Sequence, residues 1–169
     1  IEFFLFGSIF FIGIYHLGLY SLRSKDKSPL YFGIYLCLVA LRILMSGERF
    51  LYQTFPESWE LLRKFELLTF YIAVPVFLLF FNALFSNYVA KRFLKGSVIV
   101  GMLFSLVVIF TEPRIFSETA KTYQLFLLIN ALYIIILSVI SCYHRQQGSL
   151  IFLSGFAILF LTMINDILF

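Results

Sequence analysis

Charge is what this chain has least of: Asp, Glu, Lys and Arg make up 13% of its 169 residues, against 62% hydrophobic ones. A soluble domain carries roughly a quarter charged residues to cover its surface. A water-soluble globule is therefore excluded, and membrane lipids are the expected surroundings of most of the chain. Cysteine is almost as scarce. Cys37 and Cys142 are the only two, both lie in or beside apolar runs, and no structural disulfide is expected. Histidine is limited to His16 and His144. Both fall near helix ends without HExxH or paired-Cys spacing, so each reads as an interfacial residue and no metal site is expected. No GxSxG nucleophile motif occurs, and the topology derived below puts Asp26 and Asp166 on opposite sides, which removes an aspartyl dyad. The segment is thus expected not to be an enzyme and to need no cofactor. The formal charge of +4 comes from short basic clusters between apolar runs, a distribution that marks membrane topology and not nucleic-acid binding. The start at Ile1 and Glu2 has no initiator Met, no basic n-region and no small-residue cleavage site, and reads as an excised segment instead of a signal peptide.

What the sequence has in abundance is apolar length. A span needs about 20 mostly apolar residues to cross roughly 30 Å of hydrocarbon. Six runs qualify, at about 3–22, 29–46, 61–85, 95–111, 122–143 and 150–169. They are separated by RSKDKS, GERFLYQTFPESWE, SNYVAKRFLKG, TEPRIFSETAK and HRQQGS. A transmembrane β-barrel would show short strands alternating apolar and polar, whereas these runs are apolar all round. Helices are the remaining way to satisfy the backbone in lipid. The expected fold is an all-α polytopic transmembrane bundle, a single domain over residues 1–169. Pro29 fits the first position of the second helix. Pro75 falls inside the third, where it deprives the Tyr71 carbonyl of its usual donor and predicts a kink.

Orientation follows from Lys and Arg. The first, third and fifth loops carry Arg23, Lys25, Lys27, Lys91, Arg92, Lys95 and Arg145. The second and fourth, with their flanks, carry Arg49, Arg63, Lys64, Arg114 and Lys121, mixed with Glu48, Glu57, Glu60, Glu112 and Glu118. The odd loops are assigned to the cytoplasm, which puts the amino terminus outside and brings the chain back outside at Phe169.

Ionisable residues inside spans cost roughly 2.5–3.5 kcal/mol each at a helix centre on insertion scales, so each is a functional candidate. They are Arg42, Glu66 and Asp166, with Asn82, Asn130 and Asn165 as neutral companions. By the assigned topology Arg42, Glu66 and Asp166 share a depth of roughly 5–8 Å below the outer interface at 1.5 Å per residue. An interhelical network facing the bundle interior is one reading. The alternatives are a local Arg63–Glu66 pair at i,i+3, an Arg42 that snorkels to outer headgroups, and an Asp166 in the interfacial water layer. Asn82 and Asn130 read as helix-to-helix hydrogen-bond partners. Ser97, Gly101 and Ser105 put a small residue at every fourth position of the fourth helix, for close packing within the chain or for a homodimer face.

The stretch LYFGIYLCLVALRILMSGERF, with Arg42, Gly47 and Glu48, resembles the bacterial seven-transmembrane receptors with diverse intracellular signalling modules. So do the ending FLTMINDILF, with Asn165 and Asp166, and the opening GIYHLGLYSLR. The resemblance runs across all six spans. It implies a bacterial inner-membrane domain with an extracytoplasmic sensory domain before it. It also implies a seventh span and a cytoplasmic histidine kinase, nucleotide cyclase, diguanylate cyclase or phosphatase after it. On that basis Arg42, Glu48, Glu66, Asn165 and Asp166 are candidates for an outer ligand or coupling network. A transporter or permease fragment is the competing reading; it would need a polar pathway near the midplane, whereas the ionisable residues gather toward one side, and no inverted repeat is evident. A passive anchor whose polar residues only pack helices is the third.

Overall fold

The computed structural model describes residues 2–46, 58–86 and 88–168, and the side chains of Met163, Asp166, Ile167 and Leu168 lie outside that description. The described residues form six helices and no strand. They are α1 (Glu2–Leu22), α2 (Ser28–Ser46), α3 (Trp59–Leu84), α4 (Lys91–Phe110), α5 (Pro113–Tyr143) and α6 (Ser149–Leu168). Helices α1 to α5 have the length and composition to cross a membrane, while the apolar stretch described in α6, Ser149–Thr162, is shorter. Phe4, Phe11, Phe110 and Tyr143 stand on the outside, each more than two thirds exposed, as side chains solvated by acyl chains would be.

Helix α3 is the hub. It packs against α2, α4 and α5, while α1 lies on α2 and α6 on α5. The antiparallel pair α2/α3 meets in strict step: Phe32 stacks on Phe80, Tyr35 meets Phe77, the Arg42 guanidinium lies over Phe70, and Ser46 reaches Glu66. Two buried clusters divide the interior by depth. One holds Leu67, Tyr71, Val74, Val108, Phe116 and Tyr123. The other holds Leu78, Phe81, Phe85, Val89, Ile134 and Leu137. Where lipid is the solvent, burial of apolar area gives helices little reason to associate, and close backbone approach takes its place. At Gly33 of α2 an added Cβ would stand 2.9 Å from the Gly13 carbonyl oxygen of α1, so these two helices touch main chain to main chain.

Two boundaries depart from the sequence reading. The segment TEPRIFSETAK, expected as a loop, holds only two non-helical residues, Thr111 and Glu112, and α5 starts at Pro113, in the first turn where proline sacrifices no hydrogen bond. The 31 residues of α5 extend about 46 Å at 1.5 Å each, some ten residues more than roughly 30 Å of hydrocarbon requires. The expected start at 122 marked where charge begins, but a helix does not unwind at Arg114, Glu118 and Lys121; it carries them into water, with Glu118 and Lys121 3.6 Å apart on one face. Helix α4 likewise begins at Lys91, four residues before the apolar run. Pro29 is the second residue of α2, not the first, still within the turn that lacks intrahelical acceptors.

A cavity and a proline clasp as the candidate functional site

Helices α2, α3, α5 and α6 line a half-open cavity of about 350 Å³. Most of its wall is apolar, with Val39, Val74, Leu127, Ile134, Phe77 and Phe156 among the lining side chains, and Arg42, Tyr35, Asn130 and Thr162 supply the polar groups. The Arg42 guanidinium carbon sits 4.4 Å from the Phe70 ring centroid. That geometry is a cation–π contact, and it strengthens where water is excluded. Asn130 is almost fully buried. Its amide donates to the Phe126 carbonyl at 2.9 Å and its carbonyl accepts from the Ser97 hydroxyl of α4 at 2.9 Å, so its position is held from two sides.

Beside this cavity lies the proline site of α3. Pro75 has no N–H for the Tyr71 carbonyl, and the Tyr123 hydroxyl of α5 donates to that oxygen at 2.7 Å. The Tyr71 hydroxyl in turn meets Thr119 of α5 at 2.7 Å. Because Thr119 gives its own proton to the Phe116 carbonyl at 2.5 Å, Tyr71 is the donor of that pair. Both tyrosines are fully buried, and their rings lie 4.4 Å apart. On the far side Gly101 of α4 presses on the same spot: a Cβ there would stand 2.9 Å from the Pro75 ring and 3.0 Å from the Tyr71 oxygen. Three helices therefore meet at one orphaned carbonyl. Phe70 joins this clasp to the cavity, since it lines the cavity wall, carries Arg42, and packs edge-on against Tyr123 at 5.2 Å.

The sequence candidates fall as follows. Glu66 accepts from Arg63 at 2.6 Å and from Ser46 of α2 at 3.3 Å, so the local pair and an interhelical contact coexist on one carboxylate. Arg42 and Glu66 share one end of the α2/α3 pair, a single turn apart along α3 as judged by Phe70 and Glu66. Thr162 brings α6 to the same cavity. Asn165 is exposed, the Asp166 side chain lies outside the described residues, and so does Glu48. On α4, Ser97 and Gly101 are buried against the bundle, and Ser105 returns its hydroxyl to the Gly101 carbonyl at 2.8 Å. His16 packs edge-on against Phe32 at 4.8 Å, and His144 lies 5.9 Å from Tyr88.

Tyr35, Thr119 and Tyr123 were absent from the sequence candidates. A signal for Tyr123 did exist, because the orphaned Tyr71 carbonyl asks for a donor at its own depth. With the fifth helix taken to start near 122, Tyr123 stood at the interface. Counted from Pro113, it lies about 15 Å in at 1.5 Å per residue, close to the depth of Tyr71 counted from Trp59.

No curated protein and no solved structure shows a significant match to the chain. The family model described as 7TM diverse intracellular signalling matches it over residues 1–169. The chain therefore belongs to the 7TM diverse intracellular signalling family and is a multi-pass membrane sensory receptor domain.

Proposed function

We propose that this domain couples an extracytoplasmic signal to a cytoplasmic effector of the histidine kinase, nucleotide cyclase, diguanylate cyclase or phosphatase type, with its amino terminus outside and any catalysis in that separate module. The observation that carries the reading is the Phe70 ring, which belongs at once to the cavity wall beneath Arg42 and to the aromatic packing of the Tyr71–Tyr123 clasp. A change in what Arg42 touches moves Phe70. A moved Phe70 alters the packing of the tyrosine that holds the weak point of α3. Helix α3 contacts α2, α4 and α5, so a change in its course is felt through most of the bundle. Differential contacts in two such packings would need to supply about 1–3 kcal/mol, the usual size of a coupling free energy.

The test is output from the full-length protein carrying Arg42→Gln, at membrane levels matched to wild type. Altered basal or stimulated output is expected. Unchanged output in both conditions would refute a coupling role for this site.

A further inference from the structure

We infer that the end of the bundle formed by the α1/α2, α3/α4 and α5/α6 turns binds the phosphate headgroups of anionic phospholipids in preference to zwitterionic ones. The three turns lie at one end. Phe32, in the second turn of α2, stacks on Phe80 near the end of α3, and Phe80 meets Phe152 at the start of α6. Tyr88 of the α3/α4 turn lies 5.9 Å from the His144 ring and accepts from the Gln146 amide of the α5/α6 turn at 3.5 Å.

Charge is divided unevenly between this end and the rest of the chain. Arg23, Lys25 and Lys27 stand at the first turn, Lys91, Arg92 and Lys95 at the second, and Arg145 at the third, and all seven side chains are exposed. Against them stands a single carboxylate, Asp26, which already accepts from the Ser28 N–H at 2.9 Å and from the Ser28 hydroxyl at 2.8 Å. Every Asp, Glu, Lys and Arg of these turns falls within the described residues. Elsewhere carboxylates outnumber cations, and cations there are paired: Arg63 with Glu66 at 2.6 Å, Lys64 with Glu60 at 2.8 Å and Lys121 with Glu118 at 3.6 Å. Among the described residues none of the seven cations forms such a pair, so their anion has to come from outside this fold.

Placement selects lipid as its source. The seven cations flank helices long and apolar enough to cross a membrane, at the level where a bilayer presents its phosphates. Tyr20, Tyr31, Tyr88 and Tyr143 fall within a turn of the same loops, as phenols at headgroup depth do. Lys and Arg lay their stems along hydrocarbon and keep their charged heads at the interface, where N–H groups donate to phosphate oxygens in charge-assisted bonds. An acidic protein segment offers the same charge, but the bilayer holds phosphates against these side chains by geometry alone. Each basic residue close to an anionic surface contributes roughly fivefold to binding, which averages to about twofold or more over a lipid shell that includes the opposite leaflet. The binding does not rest on the receptor reading above.

The experiment uses the full-length protein in phosphatidylcholine bilayers with spin-labelled phosphatidylglycerol or spin-labelled phosphatidylcholine of the same acyl chains, so that apolar contacts cancel. Electron paramagnetic resonance gives the association of each lipid with the protein. Phosphatidylglycerol should be favoured about twofold or more. Combined Lys91→Gln, Arg92→Gln and Lys95→Gln should remove at least half of that excess, and so should combined Arg23→Gln, Lys25→Gln and Lys27→Gln; all six side chains are exposed, and the two sets test the surface independently. Lys64→Gln with Lys121→Gln, at cations already paired on their own helices, should leave it unchanged. Raising NaCl from about 0.1 M to about 1 M shortens the screening length from about 10 Å to about 3 Å and should reduce the preference. Exchange of chloride for inorganic phosphate at equal ionic strength should not. Equal association of the two lipids overturns the proposal, as when an acidic segment of the full-length protein covers these cations. So do a preference that survives both sets of substitutions or 1 M salt, an equal loss in the Lys64 and Lys121 variant, or displacement by inorganic phosphate, which would assign the surface to a soluble anion.

Discussion

Replacing Tyr123 by Phe removes one oxygen and keeps the ring, and so isolates the bond that holds the proline site. The Tyr71 carbonyl then has neither the N–H that Pro75 lacks nor the hydroxyl at 2.7 Å. Water cannot replace the donor, since both tyrosines are fully buried. An orphaned buried acceptor costs about 1–3 kcal/mol in soluble proteins, whereas interhelical hydrogen bonds in a membrane average roughly 0.6 and reach about 1.7 kcal/mol. Proline denies the carbonyl its i+4 donor, so the upper part of the membrane range applies. A loss of about 1–1.5 kcal/mol is expected, close to a tenfold change in the folded-to-unfolded ratio. The assay is reversible unfolding in mixed micelles followed by far-ultraviolet circular dichroism. The decisive comparison is a double-mutant cycle with Pro75→Ala, which returns an N–H to position 75 and a donor to Tyr71. In that background Tyr123→Phe should cost less than about 0.5 kcal/mol, the residual worth of a redundant bond. Equal losses in the two backgrounds would refute the assignment of the Tyr123 hydroxyl to the proline's orphan.

Gly101→Ala should destabilise the bundle by about 1–3 kcal/mol in the same assay, as overpacking does, because its Cβ would meet the Pro75 ring and the Tyr71 oxygen; Gly96→Ala, with nothing within 4 Å, should cost nothing and gain up to about 1 kcal/mol of helix propensity. Arg145 occupies the left-handed position after α5, at φ 53°, with Gln146 and itself bonding back to Ser141 and Cys142. Glycine is the usual residue there, and Arg145→Gly should raise stability by about 0.5–1 kcal/mol after its entropic penalty. The Asp26 carboxylate accepts from the Ser28 backbone N–H and hydroxyl at the start of α2, and these two bonds hold its pKa below the ordinary carboxylate range. A depressed folded-state pKa stabilises above the unfolded value and loses that contribution as pH falls through the folded one. The Asp26 contribution should therefore be complete and independent of pH near neutrality, so Asp26→Asn should lower thermal stability there and flatten part of any decline seen below about pH 4.

The length of the apolar runs and the polar breaks between them made the helical count and most of the boundaries legible, because a hydrocarbon slab of fixed thickness leaves few options for an apolar run. The same logic misjudged α5. Hydropathy locates the edge of the lipid, and a helix ends where its backbone bonding ends, which for α5 is two turns farther out at Pro113. That error hid Tyr123. Pro75 was legible as a break in the ladder, yet what satisfies its carbonyl depends on which helix stands opposite, and nothing in a single apolar run encodes that. The α1/α2 crossing was hidden for a similar reason. Gly13 and Gly33 lie in different helices, and neither shows a small-residue repeat of the kind that drew attention to Ser97, Gly101 and Ser105.

Charge drew the sequence reading to Arg42 and Glu66, and the structure gives that emphasis a different mechanical meaning. Glu66 bonds Arg63 one turn earlier on its own helix and Ser46 across the interface, an arrangement that ties α2 to α3 at their shared end. Arg42 is one turn deeper and rests on an aromatic ring. A cation–π contact tolerates sliding far better than a bidentate ion pair does, since the ring offers a face instead of two fixed lone pairs. The α2/α3 pair is joined at Glu66 by a hydrogen bond and at Phe70 by a cation–π contact, and the second point is the one that abuts Tyr123. A helix already missing one backbone bond at Pro75 bends there at less cost than anywhere else along its length. Force applied at Arg42 thus reaches the softest place in α3 through a single side chain, which is why disturbing Phe70 should affect signalling more than disturbing Glu66.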